Sequence, residues 1–174
     1  MSTIEELAAE VASLRRRVEA TESELELHSL KARYGELVDR RFVAGRVADP
    51  DTLRQVADEA AALFTEDGTW DGGPGLGTVT GRAAIADRLA APTLDFSCHL
   101  FVRPRIDVGV DGETASARWD LLSPCRRPDG SSYWMCGFEQ DAYQRVDGRW
   151  LHRSMRLTTV FMAPVGEGWT KILA

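Results

Sequence analysis

His99 is the natural starting point, because imidazole is the side chain that moves protons near neutral pH and this chain has only three of them. It stands in SCHLFVRPRI, residues 97–106, at the entrance to an apolar, strand-like run. No metal-ligand spacing surrounds it, so it is either an acid–base group or a core imidazole that has found one hydrogen bond. A base needs an acceptor to orient its ring. Asp39, in RYGELVDRR where a helical phase gives way to loop, is the best candidate. An aspartate followed by two arginines is also the mark of a solvated helix end, and the local sequence leaves both readings open.

Other chemistries fit less well. The glycine-rich DGGPGLGTVTG lacks Gly-Lys-Ser/Thr, and no strand is expected to feed it as a dinucleotide fingerprint requires; a turn-rich connection is the better reading. There is no nucleophile elbow for serine hydrolysis. Cys98 beside His99 makes no dyad, because neighbours on a strand point to opposite faces. The scattered Cys and His residues disfavour zinc, so neither a metal nor a cofactor is expected. What remains is acid–base chemistry on a bound organic molecule.

The elements that must position these groups fall into two halves. Ile4, Leu7, Val11, Leu14, Val18 and Leu25 mark a short heptad seam, with β-branched residues at a and Leu at d. Glu10 with Arg15 and Arg17 with Glu22 would pair oppositely across a parallel neighbour. This N-terminal helix is expected over residues 1–26, followed by the main domain over 27–174. A second helical phase runs through Leu27, Leu30, Tyr34, Leu37 and Val38. The next helix starts at Pro50 and is expected to run through Leu63-Phe64 until Gly68 stops it. TGRAAIADRLAA makes a third, with Thr80 as its cap and Pro92 beyond its end.

Residues 99–110, 114–126, 131–145 and 149–163 are β-prone, and Asp-Gly stands in each of the three connections between them. Helices followed by a meander of long antiparallel strands predict an α+β fold. In it, a cone-shaped curved antiparallel sheet wraps three helices around a central pocket, with the N-terminal helix as an extension.

ARYGELVDRR, ALFTEDGTWD, GRAAIADRL, CHLFVRPRIDVGVDGETASARWDLL and GFEQDAYQRVDGRWLHRSMRL, taken in this order, resemble the SnoaL-like branch of the nuclear-transport-factor-2-like superfamily. The resemblance covers about residues 27–163 and leaves the heptads outside. Within that branch the chain resembles the scytalone dehydratase, bile-acid 7α-dehydratase and hexachlorocyclohexane dehydrochlorinase type. Those enzymes pair an Asp on the first domain helix with a His where His99 falls, and the bile-acid enzyme has a tyrosine where Tyr34 stands. The resemblance therefore implies His99, Asp39 and Tyr34 as catalytic residues of a cofactor-independent lyase or isomerase. It departs from the pattern on the sheet: Ser123 or Asp120 occupies the region of a further acid, and Arg156 lies a few residues early for a last-strand arginine. His152 has no counterpart and is expected to face solvent.

The aromatic supply of Phe42, Trp70, Phe101, Trp119, Trp134 and Phe138 could line a pocket for a ringed compound. Phe42, Trp70, Trp119, Ser123, Phe138 and Arg156 are the expected substrate contacts. The substrate is expected to be a hydrophobic small molecule, steroid-like or polyketide among the possibilities. Competing readings are a non-catalytic binding or assembly module of the same fold, or the small subunit of an aromatic-ring dioxygenase.

The net charge of −6 gives no field for nucleic acid. No apolar run spans a bilayer, the acidic N-terminus is no signal peptide, and three cysteines read as reduced thiols, so a cytoplasmic protein without membrane contact is expected. It is expected to form a homo-oligomer, a trimer ahead of a dimer.

Overall fold

A computed structural model describes residues 3–166. The first helix, α1 (Ile4–Asp39), is continuous across the step from the heptads to the second apolar phase. Thr3 opens it with a capping box: its hydroxyl accepts the Glu6 N–H, and the Glu6 carboxylate accepts the Thr3 N–H. Only the second half of α1 is packed, through Leu27, Lys31, Tyr34, Leu37 and Val38.

A hairpin follows, β1 (Phe42–Val43) and β2 (Arg46–Val47), turned by Ala44 and Gly45 at φ of 48° and 71°. α2 (Pro50–Ala61) starts on an Asp49 cap with Pro50 in its first turn, as its sequence predicts. It stops well short of Gly68. Phe64–Asp71 is instead a strand, β3, and it lies parallel to the last strand of the sheet. Partners distant in sequence override the helical spacing there. β3 turns back through the glycine-rich loop into β4 (Thr78–Thr80), so a strand does feed that loop, but an antiparallel strand leaves it. α3 (Arg82–Ala90) is capped at Gly81 and has no side-chain cap; Thr80 stays in β4.

β5 (Phe96–Ser97), β6 (Leu100–Val108), β7 (Thr114–Arg126), β8 (Ser132–Val146) and β9 (Arg149–Pro164) complete a seven-stranded sheet in the order β4-β3-β9-β8-β7-β5, with β6 also on β7. The expected fold class is thus observed, with one parallel pair in a largely antiparallel sheet. Register shifts at Val102/Arg105, Cys136/Gly137 and Ala142/Tyr143 mark the bulges that curve it. At Gly137 a Cβ would lie 2.4 Å from the Thr158 carbonyl, so the backbones meet there only because the residue is glycine.

Alternation along β7 buries Ala115, Ala117, Trp119, Leu121, Ser123 and Cys125 on one face, the concave one. Two apolar clusters form against it. One joins Leu27 of α1 to Trp119, Tyr143 and Trp150; the other joins Tyr34, Leu37 and Val38 to Phe64, Ile85 and Leu89. Among the described residues no helix is long and apolar enough to cross a membrane.

Candidate active site

Asp39 is the last residue of α1, where a carboxylate opposes the negative end of the helix dipole and gains nothing for the helix. Its compensation comes from the segment between β5 and β6. The His99 backbone N–H donates to both Asp39 oxygens at 3.1 Å, and His99 Nδ1 lies 2.6 Å from Oδ1. A carboxylate only accepts, so Nδ1 carries a proton, and in the neutral tautomer Nε2 is the nitrogen left to accept one. The ring lies offset beside Phe101, inclined 24° to it with the centroids 5.9 Å apart. Side-chain exposures of 16% for His99 and 29% for Asp39 distinguish this pair from a solvated helix end. Cys98 lies beside the same carboxylate; burial, and then the charge of Asp39, push its thiol up and keep it protonated.

His99 lines a cavity of about 420 Å³ between the concave sheet and α1, α3 and the β3–β4 loop. Tyr34 lines it too. Trp70 Nε1 donates to Tyr34 Oη at 3.0 Å, which leaves the phenolic hydrogen free to donate. Burial, reinforced by the charge of Glu139, raises the phenol far above its usual range, so it is a donor at every ordinary pH. Phe42, Trp70, Leu89, Leu121 and Met155 supply apolar wall, and Ser123 lies fully buried among the lining residues.

Three expected contacts lie elsewhere. Trp119 is on the concave face but toward the Leu27 end, where His28 covers it edge-on at 5.3 Å and its indole donates to Tyr143 Oη. Phe138 falls on the opposite parity of β8 from Glu139 and carries the Arg118 guanidinium at 3.7 Å on its ring. Arg156 alternates with Met155 and Leu157, which line the cavity, and points away to pair with Asp71. Strand parity decides the last two, and α1 decides the first.

Sequence reasoning missed Glu139 and Lys31. Glu139 lines the cavity from β8, and Lys31 Nζ donates to its Oε2 and, at 2.8 Å, to Asp141 Oδ2. Tyr143 Oη donates to the same Asp141 oxygen at 2.8 Å. One ammonium thus serves two buried carboxylates. Burial pushes the Glu139 carboxyl up; Lys31 pulls it down and Asp141 raises it again, with a net rise. Burial works to lower Lys31, but the attraction of Asp141 and Glu139 outweighs it and the ammonium is held. The available signal was a lysine at a core position of α1, four residues after Leu27 and three before Tyr34.

His152 is fully buried rather than facing solvent. Its ring stacks on Phe64 at 5.0 Å, and neither nitrogen has a hydrogen-bond partner among the described residues.

Comparison with known proteins agrees with this architecture. A model of the SnoaL-like domain matches residues 19–156. A hexachlorocyclohexane dehydrochlorinase from Novosphingobium barchaimii superposes with a TM-score of 0.70 at 17% identity, covering 86% of this chain and 94% of that one. A putative scytalone dehydratase from Novosphingobium aromaticivorans gives 0.65 at 22% identity, covering 84% and 92%. An NTF2-like protein with a cystatin-like fold from the same organism gives 0.61 at 25% identity, covering 92% of each chain. No curated protein matches the chain.

Proposed function

The chain belongs to the SnoaL-like family, and from that premise we propose that it is a cofactor-independent lyase or isomerase of a hydrophobic cyclic small molecule, with His99 as its base. The observation that carries this reading is the Asp39–His99 pair at the wall of the cavity, with Nδ1 committed and Nε2 left over.

In the proposed reaction Nε2 removes a proton from a carbon made acidic by a neighbouring carbonyl. The electron pair of that C–H bond moves into the carbonyl, and the Tyr34 hydroxyl donates to the oxygen as its charge grows. Asp39 stabilises the imidazolium. The enolate then collapses with loss of a β-hydroxyl or halide, or takes its proton back at another carbon. Glu139, which shares one ammonium with Asp141, is the acid that protonates a departing hydroxyl. The dehydrochlorinase and dehydratase among the structural neighbours support elimination as the reaction class, and the cavity's size suits a ringed compound.

The test follows hydrogen–deuterium exchange at the α-carbon of 2-tetralone, larger ring ketones and their β-hydroxy derivatives in D2O by NMR, with loss of water read as new enone absorbance. The folded protein is expected to accelerate exchange, and His99→Gln to lower it about 100- to 10,000-fold, the usual contribution of one positioned base. Equal exchange by the two proteins makes His99 structural and the chain a binding module.

A further inference from the structure

The cavity is lined by three arginines, Arg41, Arg88 and Arg127, while its two carboxylates, Asp71 and Glu139, already hold Arg156 and Lys31. Arg41, just past the end of α1, and Arg88, in the last turn of α3, both line it. Arg41 donates from Nε to the Val38 carbonyl at 2.7 Å and from Nη1 to that of Leu89 at 3.5 Å. Arg88 donates from Nε to the Leu76 carbonyl at 3.3 Å and from Nη1 to that of Ala91 at 3.1 Å. Neutral carbonyls fix the two guanidinium planes without cancelling their charge, and in each fork Nη2 has no hydrogen-bond partner among the described residues.

Arg54, Arg82 and Arg156 each hold a carboxylate. Among the described residues neither Arg41 nor Arg88 has one within ion-pair distance, and each lies instead over an aromatic ring of the cavity, Phe42 at 5.5 Å and Trp70 at 5.4 Å. Burial lowers the Arg41 guanidinium below its ordinary value, and the like charge of Arg88 adds to this against the pull of Asp39. Two tethered cations facing one half-buried apolar space are costly until an anion joins them.

We propose that Arg41 and Arg88 together bind a carboxylate carried by the substrate, which makes the ligand a hydrophobic ring acid rather than a neutral ring compound. The inference rests on reading the cavity as the substrate site. Arg41 is two residues from Asp39, so an acid anchored there leaves its ring along Trp70, Leu121 and Met155, beside His99. The two carboxylates that share the cavity wall are already paired, Asp71 with Arg156 and Glu139 with Lys31. Lys31, which holds Glu139, lies eight residues before Asp39 on α1, about 12 Å along the axis.

The test is calorimetric titration of the full chain with phenylacetate, 2-naphthylacetate and the tricyclic dehydroabietate, each beside its carboxamide. At least one acid is expected to bind ten-fold or more tighter than its amide. Arg41→Gln and Arg88→Gln should each weaken that acid about ten-fold, the equivalent of about 1.4 kcal/mol, and leave its amide unchanged. Retained amide binding shows that the variant cavity is intact. Arg88→Lys, which keeps charge but loses the fork, should retain part of the preference.

Absence of acid binding, equal affinity for acid and amide, or a preference that survives both glutamine variants overturns the proposal. His99→Gln separates this from the catalytic reading. An acid preference that persists in His99→Gln without any turnover by wild type sinks the lyase and leaves the carboxylate site standing. Exchange that depends on His99 with no acid preference does the reverse.

Discussion

Asp39 engages the ring and the backbone of His99 at once: Oδ1 accepts the ring Nδ1–H at 2.6 Å, and both oxygens accept the backbone N–H at 3.1 Å. The same carboxylate therefore fixes where the ring is and which nitrogen is protonated. Asp39→Asn separates the two roles. An amide oxygen still accepts the backbone N–H, but if its NH₂ donates to Nδ1, the ring proton moves to Nε2 and the base is lost. Proton exchange on the ring ketones is expected to fall about 100- to 10,000-fold while the fold persists. Ring ¹⁵N shifts of His99 should report the tautomer change. An unchanged tautomer with unchanged exchange removes Asp39 from the mechanism.

Lys31 and its two carboxylates make a second prediction. With one ammonium between Glu139 and Asp141, full ionisation leaves an excess negative charge in a buried space, and burial raises Glu139 in the direction that relieves it. Glu139→Gln keeps an acceptor for Lys31 and removes that excess, so it should stay folded and lose turnover of the β-hydroxy ketones more than α-proton exchange. A protonated-carboxyl band in the infrared spectrum should vanish with it. Lys31→Met leaves two buried carboxylates without their cation and is expected to cost about 3–5 kcal/mol in urea denaturation. A Lys31→Met variant of wild-type stability refutes the burial argument.

Much of this arrangement was legible because it is written locally. The three Asp-Gly turns and the Pro50 start are short-range signals, and the strands between the turns begin and end within about two residues of their expected bounds. The Asp39–His99 pair was legible through the resemblance, since nothing local separates a functional Asp39 from a helix-end one. Phe64–Asp71 was not, because only its end, Thr69–Asp71, has a nearby partner in β4, while its parallel partner lies some ninety residues on and Phe64↔His152 pairing has no local trace. Phe138 and Arg156 were assigned to the cavity without knowing strand parity, which one bulge can invert. Lys31 was passed over because a lysine in an apolar phase reads as a break, whereas here it completes a buried ionic group.

His152 ties stability to pH. Burial, partly opposed by the charge of Asp141, pushes its imidazole down to about 3 from an ordinary value of 6.5. The unfolded chain takes up a proton as pH falls through about 6.5 and the native state does not until about 3, so this residue's contribution is complete above the first value and lost progressively between them. Each unit of pH in that window costs about 1.4 kcal/mol. His152→Phe, stacked on Phe64, has nothing to protonate. Comparing urea midpoints at about pH 7 and about pH 4.5, wild type should lose about 2–3 kcal/mol more than the variant. Equal losses place the histidine's proton elsewhere.

The first half of α1 is exposed along the seam that its sequence lays out: Leu7, Val11, Leu14 and Val18 are 50, 48, 46 and 53% exposed, and Ile4 reaches 87%. An amphipathic helix lying on its own domain would bury that stripe, and this one does not. The first fully buried residue is Ser23, whose hydroxyl accepts from Arg145, and the core begins at Leu27. The occupant that suits the stripe is the same stripe of a second copy. With β-branched Ile4, Val11 and Val18 at a and Leu7 and Leu14 at d, the seam favours two parallel strands, and Glu10 would meet Arg15, and Arg17 Glu22, across it. The trimer expected for the sheet domain would be a separate contact, and one pair of substitutions distinguishes the two. Val11→Glu with Leu14→Glu places like charges in the seam and touches nothing in the cavity. If the seam carries the association, light scattering should read an oligomer for wild type and a monomer for this variant, with ketone exchange unchanged. An oligomer of unchanged mass in the variant assigns assembly to the sheet, and a monomeric wild type refutes assembly by either route.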